Sequence, residues 1–403
     1  MSTGLELSSA STGLSTHRTW RPGLLLLAAT IAVFSYLWAL LHAESQLAVG
    51  GLLLLAPLAL LVLRRCGWQA QLGAAVDQSP RLLGWLCCLG VLCLVLALHD
   101  LHFALLLLCT VLLYAVVCLG LNLQFGYAGV VNFAGAAFFG IGSYTAATLA
   151  SHTALPHGAV LLAGGMVAAV LGSLLIWPVL RTRGHYAALV TMGFGILFKN
   201  FLEVNDALGG PQGLRIPGLV LFGWQLNENV VIAGVEVSFY ANYALISLAL
   251  CVAAFVFVRR VERSWLGLAM DMIRSDEVAA AVFGIQVARG KVLAFTFGNF
   301  LAGLAGAVYG MMTSYVAPNN FTFADSLILV SIVILGGIGN PWGILPAAIV
   351  VLILPEKFQF IAEYRFLLYA LLVIFILLYR PDGLLPRTLR RYFPGWRGAG
   401  AQP

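Results

Sequence analysis

The sequence predicts an all-α fold, a polytopic transmembrane helical bundle of about 10–12 spans with some broken or re-entrant helices. Of the 403 residues, 61% are hydrophobic and only 9% are charged, and the mean hydropathy is +0.96. A soluble domain carries about 25% charged residues. Because one span takes about 20 residues, about 12 spans would use about 240 residues, close to the hydrophobic fraction. This composition argues against a soluble enzyme, a secreted disulfide scaffold and a nucleic-acid-binding protein.

The elements follow in order from the N-terminus. Residues 1–22 are rich in Ser and Thr and are expected to be a disordered cytoplasmic segment. The run from Gly23 is longer than the core of a signal peptide and lacks a small-x-small cleavage site, so we expect an uncleaved first span. The apolar runs lie at 23–42, 47–63, 82–98, 103–123, 127–150, 158–180, 186–202, 240–258, 292–314, 323–340, 343–361 and 364–379.

Positive charge predicts the orientation. If the N-terminus is cytoplasmic and the runs alternate sides, 18 of the 22 Lys and Arg residues fall in cytoplasmic segments. The outer side keeps only Arg215, Lys357 and Arg365, and Lys199 lies late in a span. Because Lys and Arg collect in cytoplasmic loops, this bias favours an even number of crossings with both termini in the cytoplasm.

The longest charged segment, residues 259–291, is cytoplasmic in this topology. Ser275 or Asp276 is placed to cap a helix, and the alanines that follow are strong helix formers. Gly284 supplies a stop. The pattern predicts a short helix of about two to three turns. It either docks another protein or lies as a helical loop on the membrane surface.

Two glycine-rich segments, 121–135 and 335–343, interrupt the apolar runs. Glycine at this density in lipid indicates close helix packing or an unwound helix, and transporters use unwound helices to line a cavity. Four amides lie at or near these breaks. They are candidates for a translocation path, or alternatively for hydrogen bonds between helices: Asn122, Gln124, Asn132 and Asn340.

The remaining polar residues give weaker indications of function than the charged segment and the four amides. His99 and His102 share the spacing of two ligands on one helical face, but no cysteine completes a site, so we predict no metal and interfacial histidines instead. Lys199 and Glu203 are spaced for an ion pair. The chain has no phosphate-binding loop, since Val292 follows Gly290-Lys291, and no protease or esterase motif. No catalytic residue is predicted, and if the chain takes part in powered transport, the energy would come from another chain.

The ordered motifs resemble a known family, the larger, LivM-type permease subunit of Liv-type ABC importers, over roughly Leu112–Leu385. Each motif is weak alone, but their order and spacing are specific. The motifs are Gly120-Leu121-Asn122-Leu123 with Gly126 and Gly129, Gly209-Gly210-Pro211-Gln212-Gly213-Leu214, Arg274 to Ala280 with Gly284-Ile285, Leu301 to Ala307, Pro318 to Phe323, Leu335-Gly336-Gly337-Ile338-Gly339 and Arg380-Pro381-Asp382-Gly383-Leu384.

The resemblance implies a division of the chain: extra N-terminal spans at 23–100, a permease core at 101–385 with its coupling loop at 259–291, and a basic cytoplasmic tail at 386–403. It implies that the segment 274–285 of this loop docks on an ATPase subunit, although the acid of the family's Glu-Ala-Ala pattern lies one position early, at Glu277. The coupling residues are then Arg274, Asp276, Glu277, Ala279, Ala280 and Gly284.

The resemblance also implies a bacterial inner-membrane importer for branched-chain or other hydrophobic amino acids, which works by alternating access. Its partners are two ATP-binding subunits, a second homologous permease and a periplasmic binding protein. ATP and Mg would bind the partner ATPases, so this chain holds no cofactor. Two alternatives stay open: a urea or short-amide permease of the same family, and an ATP-independent secondary carrier.

Overall fold

A computed structural model describes residues 22–43, 79–180, 186–221, 223–232 and 235–357, together with scattered positions at 45–76 and 364–387. The chain divides into two compact units, Met1–Val91 and Leu92–Pro403. Helices dominate the described residues of both, which confirms the all-α prediction. The described residues contain seven helices that are long and apolar enough to cross a membrane.

The first unit contains the first predicted span. Helix α1 covers Pro22–His42, and its apolar stretch begins at Gly23 as expected. Helix α2, Pro80–Ala97, begins in this unit, where Gly90 leaves room for the ring of Phe34. Most of the predicted run at 47–63 lies outside the described residues.

The second unit holds the other helices. These are α3 (His102–Asn122), α4 (Gly135–His152), α5 (His157–Leu180), α6 (Tyr186–Val204), α7 (Phe239–Glu262), α8 (Trp265–Ser275), α9 (Glu277–Val282), α10 (Val287–Thr313), α11 (Phe323–Gly336) and α12 (Ile344–Lys357). Helix α10 lies at the centre of the unit and packs against α3, α4 and α5, while α7 and α12 pack against α3.

Glycine allows the central helices to touch. A Cβ on Gly306 of α10 would lie 1.8 Å from the carbonyl oxygen of Phe139 on α4. The buried hydroxyl of Ser143 also donates to the Gly306 carbonyl at 2.6 Å. Small residues and interhelical hydrogen bonds drive helix association in lipid, where apolar burial offers little. This contact therefore fixes α4 against α10.

Both glycine-rich segments are broken, as the sequence predicts. After α3 the chain forms a π-turn at Leu123–Tyr127 and then runs without regular structure to Ala134. The apolar run at 127–150 therefore contains this break: the Asn132 side chain accepts from the backbone amide of Ala134, and α4 begins only at Gly135. The second break separates α11 from α12, with a 3-10 turn at Pro341–Gly343.

Short strands gather at the end of the bundle where α7 begins and α10 ends. Strand β1, Leu214–Arg215, pairs antiparallel with β6, Tyr315–Val316. Two hairpins lie between them, formed by β2 (Val220–Leu221) with β3 (Trp224–Gln225) and by β4 (Val230–Ile232) with β5 (Val235–Val237).

The same end contains the ion pair and the histidines that the sequence singled out. Lys199 and Glu203 pair at 3.0 Å, which confirms the i,i+4 prediction. Nδ1 of His102 lies 2.5 Å from the hydroxyl of Ser238, which caps α7, whereas His99 contacts Asp100. Within the described residues, no group of His, Cys, Asp or Glu is arranged to hold a metal ion.

Candidate functional site

Helix α9 has the cap and the stop that the sequence predicts. The Asp276 carboxylate accepts from the backbone amides of Val278 and Ala279, at 2.8 and 3.0 Å. Gly284 ends the segment with φ +80°, a conformation that favours glycine. The cap is Asp276, because Ser275 ends α8 and its hydroxyl donates to Asp271. At six residues, α9 is shorter than the predicted two to three turns.

One face of α9 carries apolar side chains into solvent. Val278, Val282 and Phe283 are 76%, 81% and 76% exposed, and Ala279 beside them is also exposed. We call these four residues the coupling surface. Charged residues flank it on both sides in the sequence, which indicates a position outside the hydrocarbon core. Clustered exposed apolar residues of this kind mark a site of interaction with another protein or with the membrane surface.

The opposite face of α9 is anchored to α10. Ala280 is only 1% exposed, and Glu277 forms an ion pair with Lys291 at 2.6 Å. Among the predicted coupling residues, Asp276, Glu277, Ala280 and Gly284 therefore hold the helix in place, and Ala279 lies on its outer face. Sequence reasoning missed Val278, Val282 and Phe283, although the i,i+4 spacings of Val278 with Val282 and of Ala279 with Phe283 were visible.

A second cluster of functional candidates lies at the break after α3. Gln124 and Asn132 are both in hydrogen-bond contact with Asn299 of α10, and all three are at most 2% exposed. The Gln124 Nε2 donates to the Asn299 Oδ1 at 3.0 Å, and the Asn132 Nδ2 donates to the Gln124 Oε1 at 2.8 Å. We call these three residues the amide network. It closes the break by joining its two sides to α10.

The remaining candidate amides lie nearer the second break. Oδ1 of Asn122 accepts from the backbone of Gly339 at 2.8 Å, which joins the two breaks. Asn340 is not part of the amide network: it caps the turn at Trp342 and donates to the carbonyl of Leu385. Asn299 was missed by sequence reasoning, although a lone amide within an apolar run was a usable signal.

Charged side chains connect the two clusters. Nη1 of Arg274, on α8, donates to the carbonyl of Gly126 in the π-turn at 2.6 Å. Asp271, one turn earlier, accepts two hydrogen bonds from Arg387, both of 2.7 Å. The guanidinium of Arg387 also lies 4.4 Å from the centre of the Tyr127 ring. Arg274, predicted as a coupling residue, thus reaches toward the break rather than away from the bundle.

Comparison with known proteins shows which proteins the chain is similar to. A family described as branched-chain amino acid transport system / permease component matches residues 103–379. The high-affinity branched-chain amino acid transport system permease proteins LivM of Escherichia coli and Salmonella typhimurium are 34% and 33% identical to it over 293 residues, covering 69% of this chain and 68% of each relative. The LivH permease of Escherichia coli is 24% identical over 288 residues, covering 68% of this chain and 91% of that protein.

No solved structure matches the chain. The family match spans more than half of the sequence and includes both breaks, α8 and α9. The resemblance to the LivM-type subunit is thereby confirmed. The multi-pass helical bundle described above is the architecture that such a permease requires. The chain belongs to the family of branched-chain amino acid permeases of ABC importers.

Proposed function

We propose that the chain is the LivM-type subunit of an importer that moves branched-chain or other hydrophobic amino acids into a bacterial cell. Two ATP-binding subunits, a second homologous permease and a periplasmic binding protein complete the assembly. The ATP-binding subunits bind ATP and Mg, and this chain contributes no catalytic residue. It resides in the inner membrane with both termini in the cytoplasm.

The coupling surface carries this proposal. It exposes Val278, Val282 and Phe283 to water on a helix that is capped by Asp276 and anchored by Glu277. Exposing three large apolar side chains on one short helix is unfavourable for the isolated chain, at about 1.5–3 kcal/mol for each side chain of this size. An apolar groove on an ATP-binding subunit would remove them from water. The packing of the buried Ala280 against the bundle supports a role in transmitting the movement of that subunit.

The breaks supply the proposed path. Asn132 borders a small cavity whose other lining residues are apolar: Leu121, Phe125, Val330 and Val333. In this conformation the cavity has room for about one water molecule, so it would have to widen to admit an aliphatic side chain, while the nearby amides suit the polar part of an amino acid. We assign Asn122, Gln124 and Asn132 to the path, which the amide network keeps closed in this conformation. Asn340 stays a predicted path residue, although its contacts are with the tail.

Co-purification followed by reconstitution tests the function. The chain is purified in mild detergent from native membranes, and the bound proteins are identified by mass spectrometry. The complex is then placed in proteoliposomes with the binding protein, and uptake of labelled leucine is compared with uptake of labelled urea. We expect both ATP-binding subunits and a second permease to be recovered, and leucine uptake to require ATP.

The other outcomes are equally specific. ATP-dependent uptake of urea without leucine would replace the substrate by a short amide. Recovery of the chain alone, with uptake in the absence of ATP, would favour a secondary carrier and would contradict the importer.

A further inference from the structure

We propose that Asp271, Arg274 and Arg387 form a mechanical link that passes the movement of the coupling surface to the break after α3. We call these three residues the arginine link. The inference rests on the proposed function and names positioning residues for it. They act by holding the π-turn to α8, through the contacts of Arg274 with Gly126 and of Arg387 with Tyr127.

The first part of the link is the bond from Arg274 to the π-turn. Helix α3 ends at Asn122 and continues as the π-turn Leu123–Tyr127. The last carbonyls of a helix lack partners within it and carry partial negative charge. The Arg274 guanidinium donates to one of them, on Gly126, at 2.6 Å. A cation on α8 thus stabilises the end of a helix that is distant in sequence.

The second part is the paired contact of Asp271 with Arg387. Two parallel hydrogen bonds of 2.7 Å join the carboxylate to the guanidinium, and this geometry is the strong form of the ion pair. The two side chains are only 27% and 15% exposed, whereas in the Glu277–Lys291 pair Lys291 is 16% and Glu277 is 58% exposed. Water therefore screens the Asp271–Arg387 pair less. Arg387 also lies over the ring of Tyr127, the last residue of the π-turn.

The charges of the cluster fit this arrangement. Burial lowers the pKa of Arg274, and the neighbouring Arg387 cation lowers it further. Burial also lowers the pKa of Arg387, but its hydrogen bonds to Asp271 outweigh that effect and leave the pKa raised. The Asp271 carboxylate therefore offsets the repulsion between the neighbouring guanidinium groups of Arg274 and Arg387. Without it, the guanidinium groups would repel each other and separate the π-turn from the tail.

The tail connects the cluster to the second break. The backbone amide of Leu384 donates to the carbonyl of Leu335 near the end of α11, at 2.7 Å. Asn122 in turn bonds to Gly339 within that break. The arginine link and the tail thus tie α8 to both breaks in the described part of the chain.

A movement of α9 has a direct route to the amide network. Only Asp276 separates α8 from α9, so a displacement of α9 also moves α8 and its side chains. Arg274 and Arg387 contact Gly126 and Tyr127, and Gln124 of the amide network belongs to the same π-turn. Shifting this turn changes the bonds from Gln124 to Asn299. The link therefore couples docking to the opening of the break.

The test compares hydrolysis with transport in the complete reconstituted complex. The variants are Arg274→Gln, Asp271→Asn and Arg387→Gln, with Arg387→Lys as the conservative change and Lys199→Gln as the control at the other end of the bundle. We expect the three link variants to retain both ATP-binding subunits. The number of ATP molecules hydrolysed per leucine transported should rise by about tenfold, the ratio that loss of one charge-assisted hydrogen bond implies.

The variants separate coupling from stability. Loss of a structural contact alone would reduce complex yield, hydrolysis and transport together and would leave their ratio unchanged. Arg387→Lys keeps the charge and should give an intermediate ratio, and Lys199→Gln should match the unmodified complex. An unchanged ratio in all three link variants would overturn the link while leaving the proposed function intact.

A second measurement decides the matter if the variants do not assemble. Hydrogen exchange of the unmodified complex is measured by mass spectrometry, once in the presence and once in the absence of a non-hydrolysable ATP analogue. We expect the exchange of residues 123–134 to change when the partners close. Unchanged exchange there would overturn the link. Failure of the unmodified chain to bind any ATP-binding subunit would instead contradict the proposed function.

Discussion

The coupling surface and the amide network are built in opposite ways. The coupling surface places apolar side chains, 76% to 81% exposed for its three large residues, at the edge of a water-facing helix. The amide network places Gln124, Asn132 and Asn299 in the interior, at most 2% exposed, and bonds them to one another. Each runs against the usual separation of polar and apolar residues.

The two regions differ in which contacts offset the unfavourable burial of polar groups or the unfavourable exposure of apolar ones. The amide network is stabilised inside the chain, since its side chains donate to and accept from one another. The coupling surface has no such compensation among the described residues and would gain it from another protein. A change in the network should therefore alter stability, whereas a change in the surface should alter assembly and leave the fold intact.

The largest expected effect comes from charging the coupling surface. Combining Val282→Asp with Phe283→Asp would bury two carboxylates in the interface with an ATP-binding subunit, where unpaired charge is strongly unfavourable. We expect the ATP-binding subunits to be lost on purification and ATP-driven uptake to fall to background. Both side chains face water, so the thermal midpoint of the chain alone should stay unchanged.

Val204→Asp is the matched control. Val204 is 83% exposed, close to the 81% of Val282, and lies at the opposite end of the bundle. It should retain both ATP-binding subunits. An equal loss of the subunits from both variants would show that the effect is general and would contradict a specific coupling surface.

The second effect concerns the amide network. Asn299→Leu removes the acceptor that Gln124 and Asn132 share, so we expect the free energy of unfolding to fall by about 1–2 kcal/mol. Thermal unfolding in detergent measures it. Ser247→Ala is the control, since the buried Ser247 hydroxyl has no hydrogen-bond partner among the described residues and its loss should be nearly neutral. Equal stability of both variants would contradict a cooperative network.

A smaller effect is expected at the cap of α9. Asp276→Ala removes both hydrogen bonds to the start of the helix and should destabilise it by about 1 kcal/mol. Part-unfolding of α9 should weaken the affinity for ATP-binding subunits about fivefold, measured by titration in detergent. Ser275→Ala next to it makes no cap and should leave the affinity unchanged. If Ser275→Ala weakened the affinity and Asp276→Ala did not, the assignment of Asp276 as the cap would be wrong.

The smallest effect is expected from the ion pair between Glu277 and Lys291, which lies beside the coupling surface. Glu277→Gln breaks the contact with Lys291, but exposed ion pairs contribute only about 0–1 kcal/mol. The same titration should show a change of less than about threefold, because α9 keeps its cap and its buried Ala280. If Glu277→Gln reduced the affinity for the ATP-binding subunits as strongly as the combined Val282→Asp and Phe283→Asp change, Glu277 would belong to the interface rather than to the anchor.

Local signals carried much of what the sequence predicted. Asp276 and Gly284 act within a few residues, so their roles as cap and stop were readable from the chain alone. The breaks were predicted from glycine density in apolar runs. The partners that complete the sites are distant in sequence: Asn299 lies 175 residues from Gln124, and Arg387 lies 116 residues from Asp271. No local pattern specifies such pairs, because they depend on how the helices pack.

Site-specific crosslinking tests the central claim, that the coupling surface docks an ATP-binding subunit. A photo-crosslinking amino acid replaces Val282 in one preparation and Val204 in another, and both are irradiated in native membranes. We predict that position 282 forms a crosslink to an ATP-binding subunit and that position 204 does not. Crosslinks from position 282 to lipid alone, or to the ATP-binding subunit equally from both positions, would contradict the account.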